Sequence, residues 1–264
     1  MKLCFSTLAC PDWDFMEIVS TAKELGFSAI EISGLQGKLY APDIWQKDNE
    51  KILATRRYLR SIRLPVACLS SHCYLHEGHR YLEEAKEYID LAHAMKVPYV
   101  RILGDRRPEP GECVNTEIAK EFLKNLDEYA AGKNVTVLLE TNGIYANSLL
   151  VKNLFTECNL KNCGVLWDIQ HPYLYYREDP SYTVANLKDY IRFVHVKDSV
   201  ILGNQVVYQP VGEGKLPIRA CIKALKDIGY KGYFSLEWVK LWHPELSEPR
   251  EILMKYKEYM SQKF

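Results

Sequence analysis

Eight short apolar runs alternate with eight stretches of helical periodicity over 264 residues, and that alternation restricts the fold more than any other feature. A strand, a helix and a second strand in succession build a parallel pair joined by a crossover. Strands are predicted at 3–8, 29–32, 65–70, 99–103, 135–139, from 164 up to about Asp168, and at 191–196 and 233–236. Helices are predicted at 14–25, 49–62, 79–95, 116–131, 148–158, 184–190, 218–228 and 248–260. In the first of these, Phe15, Ile18, Val19, Ala22 and Leu25 share one face and Gly26 supplies the stop. Glu24-Leu25-Gly26-Phe27 is echoed by Asp227-Ile228-Gly229-Tyr230, each just before a strand. Eight such units in this length point to the α/β class and to a single (β/α)8 TIM barrel spanning 1–264 as one domain. An open doubly wound sheet would need a glycine-rich phosphate loop after strand one, where the chain has Cys10-Pro11-Asp12 instead.

Composition narrows the function classes. Lys plus Arg and Asp plus Glu number 34 each, so no global basic field draws in nucleic acid or an anionic membrane. No run reaches the roughly 18 apolar residues of a transmembrane helix, and the apolar segment before Cys10 is too short for a signal peptide. The eight cysteines, at 4, 10, 68, 73, 113, 158, 163 and 221, form no CxxC pair. Several fall inside predicted strands or helices, which favours reduced thiols and a cytoplasmic protein.

A barrel brings all its strand C-termini to one mouth. Glu140 follows strand five, Asp168 ends strand six, His195 lies near the end of strand seven and Glu237 follows strand eight. Asp, Glu and His together make up about one residue in six and normally stay on the surface. Chance seldom sets one at each of four consecutive strand ends. Three crowded carboxylates repel one another unless a cation or a proton intervenes. Three oxygen donors with one imidazole suit a single divalent ion, Mn²⁺, Mg²⁺, Co²⁺ or Zn²⁺.

Other residues at the same mouth carry two or more readings. His171 is a second ligand, a substrate hydrogen-bonder or a surface loop residue. His72 is a ligand of a further metal, a substrate contact or a satisfied core histidine. Lys197 either steadies a developing oxyanion or is solvated. Glu31 either lines the pocket or is held structurally by hydrogen bonds. Trp13, Trp238 and Trp242 form an apolar wall or plain packing. Arg101, Arg106 and Arg107 are candidates for a phosphate, with solvated loop positions favoured for the last two.

With these residues placed, the whole chain resembles the xylose-isomerase-like TIM barrels, and more narrowly the sugar phosphate isomerase/epimerase group. The motifs that carry the resemblance are Leu138-Leu139-Glu140, Trp167-Asp168 with His171, Phe193-Val194-His195-Val196-Lys197-Asp198, and Leu236-Glu237. The resemblance implies that Glu140, Asp168, His195 and Glu237 hold one divalent metal and that His171 contacts the substrate. It also implies that Glu140 and Glu237 are the acid/base pair for proton abstraction next to a carbonyl, through a metal-stabilised enediolate. His72 and Lys197 join His171 as expected substrate contacts. The group's epimerases carry an arginine soon after the metal-binding histidine; this chain has Lys197, then Gln205 and Gln209. An inosose-type dehydratase on the same site is the nearest alternative. Endonuclease IV shares the barrel, but its three-zinc cluster needs ligands lacking after strands four and seven. A sugar-binding barrel without catalysis is the third alternative. The expected partner is a small carbohydrate, with no nucleic acid and no membrane, and a homo-oligomer is left open.

Overall fold

The computed structural model describes residues 1–45, 47–111 and 115–262. Its barrel strands are β1 (Lys2–Phe5), β2 (Ile30–Ile32), β3 (Val66–Tyr74), β4 (Tyr99–Leu103), β5 (Thr136–Glu140), β6 (Cys163–Asp168) and β7 (Ile191–Val196). A two-stranded hairpin, β8 (Asp198–Leu202) and β9 (Gln205–Gln209), precedes the last barrel strand, β10 (Tyr233–Leu236). The eight barrel strands run parallel in the order β1-β10-β7-β6-β5-β4-β3-β2. A parallel bridge between Ser6 and Glu31 brings the two edges together, so the sheet is a nearly closed barrel with helices around it. The expected (β/α)8 architecture is therefore present.

Side chains alternate across the pleat, so one set fills the lumen and the other meets the helices. The lumen is packed by Cys4, Ala29, Ala67, Cys68, Leu138, Leu166 and Phe193. The much larger outer cluster includes Phe5, Val100, Ile102, Val137, Leu139, Val165, Trp167, Val194 and Leu236. Two residues beyond Leu138, Leu166 and Phe193 on the same faces stand Glu140, Asp168 and His195. The alternation that fills the barrel floor thus also aims the polar residues at its mouth. The cross-strand register sets Asp168 opposite His195, and His195 opposite Ser235.

Most element boundaries follow local chemistry. Asp14, Asp48, Asn115, Asn147 and Asp179 cap the helices Phe15–Glu24, Asn49–Ser61, Thr116–Ala130, Ser148–Cys158 and Pro180–Leu187 through their side-chain oxygens. The echoed tetrapeptides are matching helix ends. Gly26 and Gly229 have φ of +68° and +72°, and Phe27 and Tyr230 donate back to Ala22 and Leu225. Strand one is shorter than expected, because Ser6 caps a 3-10 turn at Thr7–Ala9. The helix expected at 184–190 instead starts at Pro180, whose ring suits a first helical turn. A short helix, Gln170–Tyr176, fills the expected loop after β6. The seven described cysteines are free and buried, and Cys113 lies outside the described residues. Among the described residues, no helix is long and apolar enough to cross a membrane.

The hairpin was not anticipated, and Asp198 anchors it. Its buried carboxylate accepts from the backbone N–H groups of Ser199 (2.9 Å), Gly212 (2.9 Å), Gly214 (3.0 Å) and Leu216 (3.1 Å). A Cβ at Gly214 would lie 2.1 Å from that carboxylate, so only glycine lets the chain come so close. Replacing Asp198 by Ala leaves several buried donors unmet, at about 1–3 kcal/mol for such a group. The Asp198→Ala variant is expected to unfold at a clearly lower urea concentration, whereas an unchanged midpoint would mean that the loop holds itself.

Candidate active site

Adjacent strands β5, β6, β7 and β10 deliver Glu140, Asp168, His195 and Glu237 to one point. One ligand atom from each lies within 4.8 Å of all the others, and all four residues are buried. This is the one such group among the described residues. The structure thus brings together the four residues that the sequence grouped at the barrel mouth.

The imidazole of His195 is held from behind. Its Nε2 lies 3.0 and 3.1 Å from the two carboxylate oxygens of Glu31, which also accept from Ser70 (2.5 Å) and Ser235 (2.6 Å). Glu31 is fully buried, so the hydrogen-bonded reading of this residue is the correct one. A carboxylate that takes the Nε2 proton turns the other nitrogen toward the mouth. Nδ1 of His195 has no hydrogen-bond partner, and it stands 3.3 Å from Glu237 and 3.8 Å from Glu140. Below it, Phe193 packs edge-on at 6.1 Å.

Asp168 is oriented in a similar way. Its Oδ1 accepts from the backbone N–H groups of Gln170 (2.8 Å) and His171 (3.2 Å). Its Oδ2 is left without an aligned hydrogen bond, although Lys197 Nζ lies 2.7 Å away. Lys197 also pairs with Glu237. The lysine is 3% exposed, which overturns the solvated reading. Arg101 donates to Glu140 (3.0 Å) and to Ser33 (3.3 Å), so its charge is committed to the site and not to a phosphate. Arg106 is exposed and pairs with Glu77, and Arg107 is exposed, as expected for loop positions.

His171 is buried in the short helix after β6, not in a surface loop. Its Nδ1 lies 2.9 Å from the Thr141 carbonyl and 3.9 Å from Glu140. Burial first, and then the Lys197 charge, lowers its pKa below the ordinary imidazole value, so the ring is neutral. Nδ1–H then serves Thr141, which leaves Nε2 for another partner. His72 falls within β3, which runs on past its expected end. Burial and the nearby Arg101 push its pKa down to about 4, against the pull of Glu237. Neither histidine joins the quartet. Of the three tryptophans, Trp238 is buried and donates to the Ser247 carbonyl, and Trp13 packs on the core. Trp242 alone is half exposed at the mouth.

The charges decide what the quartet can hold. Burial, then Glu237, raises Glu140 to about 7, with Arg101 and His195 opposing. Burial opposes ionisation of Glu237 too, but His195 and Lys197 hold it well below the usual carboxylate range. Burial disfavours a charged His195, yet Glu237 and Glu31 outweigh it and raise the imidazole well above its usual range. Four buried carboxylates thus face Arg101, Lys197 and a protonated His195. With His195 neutral, one divalent cation beside Arg101 and Lys197 balances all four. His195 Nδ1, which has no hydrogen-bond partner, and Asp168 Oδ2, held only by the Lys197 ion pair, are the ligand types such an ion takes. The residues present therefore fit a divalent metal.

Sequence reasoning missed three parts of this site. Ser70 and Ser235 lie two residues from Cys68 and Glu237 on inward faces, so extending the period-two alternation would have found them. Tyr208 sits on the unanticipated hairpin, and the charges of Lys197, Glu237 and Asp168 act on its phenol. No alternation visible in the sequence directed it there.

The family described as xylose isomerase-like TIM barrel matches residues 19–256. Fructoselysine 3-epimerase of Shigella flexneri is 26% identical over 249 residues, covering 87% of this chain and 86% of the relative. The probable 3-DHS dehydratase AsbF of Bacillus anthracis superposes with a TM-score of 0.78 at 19% identity, covering 100% of both chains. The IOLI protein with a bound zinc atom superposes at 0.76 with 18% identity, over 98% of this chain and 96% of that one. At those identities the two superpositions speak for the fold.

Protons held by His195 and Glu140 must leave when a cation arrives. Because binding removes protons, apparent affinity should rise as pH increases from about 6 to about 8. Calorimetric titration of the metal-free protein with Mn²⁺ in buffers of different ionisation enthalpy should reveal the released protons. In the same assay Glu31→Gln should weaken binding about 10–100-fold, the usual effect of losing such a support. A pH-independent affinity, or no effect of Glu31→Gln, would contradict this electrostatic account.

Proposed function

The chain belongs to the xylose isomerase-like TIM barrel family, and on that footing we propose that it is a metal-dependent sugar or sugar phosphate isomerase or epimerase. The observation that carries this reading is the convergence of Glu140, Asp168, His195 and Glu237 within 4.8 Å. A divalent ion held by these four would supply Lewis-acid polarisation of a substrate carbonyl. Everything else falls to the protein's own groups.

Glu140 and Glu237 come from strands on either side of β6 and β7, so they can flank a ligand seated over the mouth. One removes the proton from the carbon next to the carbonyl. The other returns a proton to the opposite face for epimerisation, or one is delivered to the adjacent carbon for isomerisation. Lys197 presents its ammonium where negative charge develops on the substrate oxygens. His171, neutral and with its proton on Nδ1, accepts at Nε2 from a substrate hydroxyl. His72 meets a substrate hydroxyl from the opposite wall, beside Trp242. Burial of every one of the quartet residues keeps bulk water from quenching the carbanion.

A dehydratase is the second reading. The same proton abstraction followed by loss of a neighbouring hydroxyl needs a nearby proton donor, and the buried Lys197 ammonium is placed to serve. The two readings part at the product, since a dehydratase yields an unsaturated carbonyl that absorbs in the ultraviolet.

Substitution of Glu140 or Glu237 by Gln should cut solvent deuterium uptake into a panel of ketoses by about 10²–10⁴-fold, the range for loss of an acid/base group. Bound metal should be measured in the same samples. Undiminished exchange in both variants would remove the two glutamates from the chemistry.

A further inference from the structure

A cavity of about 1250 Å³ opens beside the hairpin, between the short helix after β6 and the segment that follows β10. It exceeds the roughly 300–1,000 Å³ that houses a drug-sized ligand. None of the four quartet residues forms its wall, so contacts to the quartet alone do not account for it.

Three aromatic side chains join this cavity to the site. Tyr175 sets its ring 6.1 Å from that of His171, tilted by 34°. Trp242 meets His72 edge-on at 6.0 Å and 80°. Tyr208 feels the charges of Lys197, Glu237 and Asp168. The cavity wall therefore adjoins His171 and His72, which flank the quartet. Farther out, Tyr173 and Trp242 are 36% and 51% exposed, although both are large apolar surfaces. Exposed aromatic faces gathered on one concave wall mark a binding surface more than a packing accident. The ionic groups on the wall are the carboxylates of Glu109, which accepts from Tyr175, and of Glu245, which pairs with the His243 imidazole, and the guanidinium of Arg177. Carboxylates outnumber the guanidinium there, so the wall receives an amine more readily than an acid.

We infer that the carbohydrate taken by this site is a conjugate and not a free monosaccharide. Its polyol end lies at the quartet, and an attached arm with a flat apolar face and an amine lies against Tyr173, Tyr208 and Trp242. This inference rests on the sugar-enzyme reading above and names the substrate class within it.

The test compares free D-fructose with 1-benzylamino-1-deoxy-D-fructose and 6-O-benzyl-D-fructose, which carry the arm at opposite ends. Binding to the metal-loaded protein is measured by calorimetry, and solvent deuterium exchange is followed in parallel. At least one conjugate should bind about tenfold or more tightly than free fructose, equivalent to one good aromatic contact, with the amine-linked arm preferred. Trp242→Ala and Tyr173→Ala should erase most of that advantage, and Tyr173→Ala should leave the affinity for free fructose within about twofold. Equal affinities for free and conjugated sugars, or an advantage untouched by both substitutions, would overturn the inference. Absence of exchange in every sugar, with the conjugate preference intact, would instead overturn the catalytic reading and leave the vestibule standing.

Discussion

Like charges forced together at the barrel mouth govern the rest of the structure. Glu140, Asp168 and Glu237 are buried within a few ångströms of one another, and Glu31 lies buried just behind His195, where water cannot screen them. Three cationic side chains are recruited to offset them. Arg101 settles on Glu140, Lys197 bridges Asp168 and Glu237, and His195 lies between Glu31 and Glu237. Truncating one member of such a set would strand buried charge on its neighbours. The protons on His195 and Glu140 are what a bound metal would displace, since Arg101 and Lys197 keep their charges.

The architecture below serves that arrangement. Phe193, Leu138 and Leu166 close the lumen, so the polar layer rests on a dry floor. The pleat lifts Glu140, Asp168 and His195 from that floor by two residues each. Glu31 reaches the same layer from β2, at the seam where the barrel closes through Ser6. Barrel closure and the orientation of His195 therefore depend on neighbouring atoms of one residue.

Much of this was legible in the sequence because both periodicities are strong. Eight apolar runs, the capping residues and the helix-ending glycines are local signals, and the barrel follows from their order. The quartet was legible for the same reason, as each member ends or follows a strand. Lys197 and Glu31 were visible as candidates, but their roles depend on partners 29 to 204 residues away, which no local pattern encodes. Arg101 looked like a phosphate ligand because its partner Glu140 lies on the next strand. The hairpin was missed because it is an insertion between β7 and β10. Its fold is dictated by Asp198 gathering backbone donors from as far as Leu216. With it went Tyr208 and the vestibule wall.

The most direct test of the central claim is anomalous diffraction from crystals grown with Mn²⁺. The account requires a single anomalous peak within bonding distance of Glu140, Asp168, Glu237 and the Nδ1 atom of His195, with Nε2 still on Glu31. A peak elsewhere, or none while Lys197 keeps its place between Asp168 and Glu237, would contradict it.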